Sequence, residues 1–262
     1  MGLFDFLTGG KGGGVQKLAA KANNKNAQSV DRFRALEQLR DEAQSERASD
    51  GGAEEALAGL FRRFTFNYDK SIEDEQEKEW VHDALVDMGQ DEAKKPRVLR
   101  ALERALLGSD SIAWPLRVLD HVATHDETWP ILEKVIAQND NQYVRDASKK
   151  IQLVNFLGES YVDPRATRSL LQYLEDMDEP VRFHTVEALL HHKDEEIARE
   201  PLLKQLLSQD EQSRRVKIRI LDGLADLGWN THGHKGEVDA ALESLGTGHT
   251  MDNKGRIKKP QR

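Results

Sequence analysis

Asp178-Glu179-Pro180-Val181-Arg182 opens an apolar run that ends near Leu189, and Asp210-Glu211 followed by Val216-Lys217 opens a second that ends near Leu224. Val181 and Val216 stand 35 residues apart, as do Leu189 and Leu224. A fixed interval of this length marks a helical hairpin too small to bury its apolar face alone, so it gains stability by stacking on copies of itself. The expected fold is all-α: stacked antiparallel helical hairpins forming an α-solenoid of about ten to thirteen helices.

Composition agrees with a thin, elongated core. Of 262 residues, 32% are charged and 6% aromatic, and mean hydropathy is −0.69. The 38 basic and 46 acidic side chains give a net charge of −8, which argues for solubility and against a phosphate-binding surface of duplex length. Absence of cysteine removes thiolate nucleophiles, disulfides and Cys-ligated zinc together, and leaves the redox compartment open. No apolar run approaches the roughly 18 residues of a membrane span, and the opening residues lack the pattern of a secretory signal. A cytoplasmic protein without stable membrane insertion is the expectation.

Taken in order, residues 1–14 read as a short apolar patch, with Leu3, Phe4, Phe6 and Leu7, on a glycine-rich tether. The patch reads as an N-terminal docking element or cap. Residues 15–52 read as capping helices, the second set by Val30, Phe33, Leu36 and Leu39 behind Ser29. Residues 53–228 carry the repeats, and 229–262 a last short helix with a basic tail that is either disordered or a small cap strand near Arg256-Ile257. Between 67 and 92 stand ten acids and two bases, while Trp80, Val81, Ala84, Leu85 and Met88 keep helical spacing. That pattern predicts an amphipathic helix with an acidic outer face, closed by Gly89. Glu73, Asp74, Glu77, Asp83 and Asp87 form its candidate acidic patch.

Three stretches share a plan. Pro130-Ile131-Leu132 precedes Asp140 and Val144-Arg145; Asp176 precedes Pro180-Val181-Arg182; Pro201-Leu202-Leu203 precedes Asp210 and Val216-Lys217. The aspartates are spaced by 36 and 34 residues. This plan resembles the HEAT-like repeat, in the variant also found in phycobilisome lyases, over about residues 53–228 in some five units. The resemblance implies a right-handed HEAT/armadillo-like superhelix and, as with uncharacterised bacterial HEAT-repeat proteins, no particular activity. The turn aspartate is expected to cap the second helix of its hairpin. Arg145, Arg182 and Lys217 are expected to pair with a neighbouring hairpin as a structural ladder.

Catalytic signatures are not visible. GxSxG, HExxH, Walker A and GxGxxG are absent, and Gly9–Gly14 precedes no strand. His232, His234 and His249 lack zinc-ligand spacing, and His191-His192 read as a helix C-terminal cap. No cofactor, metal or catalytic residue is expected. The expected function is a non-catalytic scaffold that binds a protein partner, with Arg182, His184, Arg215, Lys217 and Arg219 as candidate contacts on the second helix of each hairpin. Two alternatives follow from the resemblance. One is a nucleic-acid-binding protein of the alkylpurine DNA glycosylase kind, using Arg214, Arg215, Lys217 and Arg219 with Trp229; the other is a bilin-lyase-like chaperone or enzyme. Partner identity and oligomeric state are not legible in the chain.

Overall fold

A computed structural model describes residues 11–46, 50–68 and 71–260. The described residues form thirteen α-helices and one two-stranded sheet, so the fold class is all-α. The chain divides into two compact units, residues 1–138 and 139–262. Among the described residues no helix is long and apolar enough to cross a membrane.

The first unit holds α1 (Lys11–Ala22), α2 (Ser29–Gln44), α3 (Asp50–Arg62), α4 (Ser71–Gly89), α5 (Lys95–Gly108), α6 (Ala113–Val122) and α7 (His125–Gln138). Each helix packs on the next but one: α1 on α3, α3 on α5 and α5 on α7 in one layer, α2 on α4 and α4 on α6 in the other. The second unit holds α8 (Ser148–Glu159), α9 (Pro164–Leu170), α10 (Glu179–His192), α11 (Glu195–Leu207), α12 (Arg214–Leu227) and α13 (Lys235–Leu245). The same rule places α8, α10 and α12 side by side, and α9, α11 and α13 in the facing layer. Thr250–Met251 and Ile257–Lys258 pair antiparallel as a hairpin that packs on α12 and α13.

Local chemistry explains the helix ends. Ser213 Oγ accepts from the Val216 N–H at the start of α12, and Gly228 takes φ +66° at its end. There Gly228 N–H reaches Ala225 O and Trp229 N–H reaches Leu224 O, the paired bonds that satisfy orphan carbonyls when a glycine turns left-handed. Between these ends Val216, Ile220, Leu221 and Leu224 are fully buried, one stripe at helical spacing. Helix α7 opens on a reciprocal cap: Thr124 N–H donates to Glu127 Oε2 at 2.8 Å, and Glu127 N–H to Thr124 Oγ1 at 3.3 Å.

Several expectations are corrected. Arg145 is not the ladder residue expected: residues 139–147 are irregular, Val144 is 40% exposed and Arg145 is exposed. Helix α1 takes Gly12–Gly14 into its first turn, because Val15, Ala19 and Ala22 bury against its neighbours; residues 1–10, with Leu3, Phe4, Phe6 and Leu7, lie outside the described residues. Val30 points outward on α2, whose buried face is Arg32, Ala35, Leu36, Leu39 and Ala43. Helix α4 does end at Gly89, which also touches α6: a Cβ there would lie 2.4 Å from Val122 Cγ1. Of the two readings of the C-terminal segment, the cap strand is the one present, with Met251 paired to Ile257.

The acidic patch also divides. Asp74 and Glu77 face inward, because Arg63, which is wholly buried, donates from Nε to Glu77 Oε2 at 2.9 Å and from Nη2 to Asp74 Oδ1 at 2.6 Å. Arg32 Nη2 donates to Glu77 Oε1 at 3.0 Å, and Lys78 Nζ to Asp74 Oδ2 at 2.7 Å. Burial alone would raise the Asp74 carboxyl, but hydrogen bonds from Lys78 and Arg63 outweigh it and hold the group below the usual aspartate range. Burial pushes the Tyr68 phenol, which lies under both guanidinium groups, up to about 12.

In the second unit Lys150 is buried with Asp176, Nζ to Oδ2 at 2.7 Å. Removing one partner of a buried pair strands the other charge, so Lys150→Ala is expected to cost about 3–5 kcal/mol, read as a lower urea midpoint. Gly158 of α8 lies against Ala188 of α10, where a Cβ would sit 2.5 Å from the Ala188 Cβ and 2.9 Å from its Cα. Gly158→Ala is therefore expected to destabilise by about 1–3 kcal/mol through overpacking, checked by thermal unfolding.

Candidate functional site

The outward face of α8, α10 and α12 carries a groove of about 450 Å³. Its width follows from small residues. Gly158 meets Ala188, and a Cβ on Gly223 of α12 would lie 2.2 Å from Leu190 Cδ1, so the three helices approach closely along the floor. Helix α8 contributes Asn155 and Glu159, α10 contributes His184, Glu187 and His191, and α12 contributes Arg219, Asp226 and Leu227. Lys193 closes the α10 end, in a left-handed conformation with φ +56°. Beyond Arg219 the surface continues into a shelf formed by Phe183, Arg214, Arg215, Ile218 and Asp222.

Charge along this face is largely paired. Arg219 Nε donates to Glu187 Oε1 at 3.1 Å across α10 and α12. Arg215 pairs with Glu179 at 3.2 Å and lies 4.0 Å over the Phe183 ring. The C-terminal hairpin reaches the flank of α12: His249 Nε2 lies 3.0 Å from Asp222 Oδ1, and Lys259 Nζ 2.7 Å from Asp226 Oδ1. The groove lining includes no serine, threonine, tyrosine or cysteine. It offers charge, imidazole and a shallow apolar floor.

The five residues singled out in the sequence separate into two groups. His184 and Arg219 line the groove and Arg215 the adjoining shelf. Arg182 and Lys217 instead hold turns together. Arg182 donates from Nε to Glu211 Oε2 at 2.7 Å, from Nη2 to Glu211 Oε1 at 3.0 Å and from Nη1 to Asp176 O at 2.8 Å. Lys217 Nζ donates to Ser208 O at 2.9 Å. The acceptor in the last turn is Glu211, one residue beyond the expected Asp210, and it also takes the Ser213 N–H at 2.7 Å. One turn earlier in the same unit, buried Lys150 pairs with Asp176 where Arg145 is exposed.

Of the acidic patch, Asp83 and Asp87 are exposed, with Glu75 and Glu79 completing a row four residues apart on α4. Glu73 is half-buried, and Asp74 and Glu77 belong to the buried network. Trp229 is buried and so is unavailable for stacking on a base. Sequence reading missed Glu187, His191 as a lining residue, and Lys193. The helical period running from His184 through Glu187 to His191 was the signal that could have found the first two.

Two histidines of the second unit titrate in opposite senses. His192 is half-buried, with Nε2 2.9 Å from Leu157 O and Nδ1 2.7 Å from Thr167 Oγ1, and burial holds its pKa below the usual 6.5. His234 lies between Glu237 and Glu200 at 3.0 Å each, which raises its pKa. Among the described residues no group of three or more His, Asp or Glu could hold a metal ion. No family model matches the chain, and no curated protein or solved structure matches it either.

The two histidines predict separable pH effects. For His192 the unfolded chain binds more protons between its folded pKa and 6.5, so its contribution falls as pH drops through that window. His192→Asn should flatten the loss of urea resistance between neutral and mildly acid pH. The His234 contribution is complete below 6.5 and disappears as pH rises through its folded pKa. His234→Gln should therefore cost more stability in acid than in alkaline buffer.

Proposed function

We propose that the chain is a non-catalytic HEAT-like α-solenoid that binds a protein partner along the outward face of α8, α10 and α12. The observation that carries this reading is the groove itself: three helices of one layer, held close by Gly158 and Gly223, present polar and charged side chains over a shallow apolar floor. Packing of each helix on the next but one, together with the 35-residue interval, supports the solenoid assignment. In such arrays each hairpin is fixed by its neighbours, so a row of exposed side chains forms a rigid, extended contact surface. The scaffold role follows from that rigidity: a preformed surface loses little conformational freedom on binding.

The test is affinity capture of the tagged protein from nuclease-treated lysate of its source cells, beside the Arg215→Glu, Arg219→Glu double variant. A partner retained by the wild type and depleted at least tenfold in the variant, with melting unchanged, supports the groove as the contact surface. Equal recovery by both proteins removes the groove from the reading. Binding that disappears with nuclease in the wild type shifts the assignment to nucleic acid.

A further inference from the structure

We propose that residues 3–7 of this same chain dock in the groove between α3 and α5, with Phe4 and Phe6 on its floor and Asp5 against Arg62. This docking lies within the first unit and is independent of the partner-binding reading. The groove encloses about 410 Å³ and is floored by Ala58 and Phe61 of α3 with Ala101, Ala105 and Gly108 of α5. A Cβ on Gly108 would meet no atom within 4 Å, so the small residues leave open space between the helices. Leu3, Phe4, Phe6 and Leu7, a few residues upstream of α1, are the large apolar side chains that such a floor lacks.

Charge selects this groove. Its rim carries Arg62 and Arg104 against Glu54, and Arg100 stands 3.6 Å from the same glutamate. Glu54 answers Arg104 at 2.9 Å, while Arg62 is exposed and has no ion-pair partner among the described residues. Asp5 is the one ionised side chain of residues 1–10, and it supplies the missing carboxylate. A second groove of the unit, between α2 and α4, has Val30 and Phe33 in its lining but sets Glu37, Glu73 and Glu77 against Arg34. There Asp5 would stand among like charges, an arrangement that costs binding energy.

Reach agrees. Helices α1, α2 and α3 follow one another through short connections and so alternate in direction, which leaves α1 and α3 parallel. A Cβ on Gly59 of α3 would lie 3.1 Å from the Ala19 Cβ of α1. Lys11 precedes Ala19 by roughly 12 Å of helix, level with the first turn of α3. Neighbouring helices stand about 8–10 Å apart, so the α3–α5 groove is roughly 14 Å to the side of Lys11. Arg62 is about 16 Å further along α3, or roughly 21 Å from Lys11 in a straight line. Six residues of extended chain cover about 20 Å from Lys11 to Asp5, and the arginine side chain spans the rest. Alternate side chains of such a chain share a face, so Phe4 and Phe6 enter the floor together while Asp5 stays at the rim with Arg62.

Because the chain has no cysteine, two introduced thiols report one contact alone. The full chain with Leu3→Cys and Thr65→Cys is treated, dilute, with a short bismaleimide, beside the full chain with Leu3→Cys and Gln76→Cys. Thr65 lines the proposed groove one turn past Arg62 and Gln76 lines the α2–α4 groove; both are exposed. Cross-linking within one chain should be at least tenfold faster for the Thr65 pair, with helical circular dichroism unchanged. Asp5→Arg should slow it about threefold to tenfold, and Arg62→Glu added to Asp5→Arg should restore it. That rescue separates a specific contact from a tether that merely keeps the segment nearby. Equal rates for the two pairs, no cross-link, products that join two chains in place of one, or failure of the rescue would each overturn the proposal.

Discussion

The missing Cβ at Gly158 and Gly223 is the constraint on which the second unit depends. Helices whose facing residues carry branched side chains pack at interaxial distances near 10 Å; small residues bring them toward 8 Å. At α8–α10 and α10–α12 the contact is glycine on alanine and glycine on leucine, so the layer is narrow and its outward side chains crowd into one surface. A wider layer would separate Arg219 from Glu187 and leave two isolated charges where one ion pair now spans the helices. Groove width and groove electrostatics therefore have a common cause in backbone proximity.

Buried charge supplies a second level of order. Hydrophobic contact is indifferent to small shifts of one helix along another, whereas an ion pair with several hydrogen bonds has one geometry. Arg182 reaches both oxygens of Glu211 and the Asp176 carbonyl, and Lys150 reaches Asp176, so the turn before α10 is fixed to α8 and the turn before α12 to α10. Arg63 plays the corresponding part in the first unit, where it joins the end of α3 to α4 and Arg32 links α2 to the same Glu77. These charges add little net stability compared with apolar replacements, and their role is alignment.

Legibility in the sequence followed periodicity. Val181, Leu189, Val216 and Leu224 sit where a 35-residue interval requires, fully buried, because one spacing repeats both the helix period and the hairpin period. Val144-Arg145 mimicked the same dipeptide and failed, since the loop after α7 is longer there and Lys150 took the inward charge. Asp74 and Glu77 were misplaced because composition counts carboxylates without knowing that Arg63 and Arg32 lie across from them. Gly89 was read only in part for a related reason: a glycine that ends a helix and one that admits a neighbouring helix look alike until the neighbour's position is known, and Gly89 does both. Three of the five residues named from the sequence, His184, Arg215 and Arg219, do line the groove or its shelf, while Lys193 was hidden because nothing local announces a lysine with φ +56°.

The C-terminal hairpin borders the flank of α12 through Asp222 and Asp226, with Ile257 buried beneath it and the backbone of Thr231 joined to Gly255. It uses two short strands where another helix of that layer would otherwise lie. Without that cover Asp222 would lose the His249 imidazole beside it and Asp226 the Lys259 ammonium, so the two short strands set the charge that the flank of α12 shows to solvent.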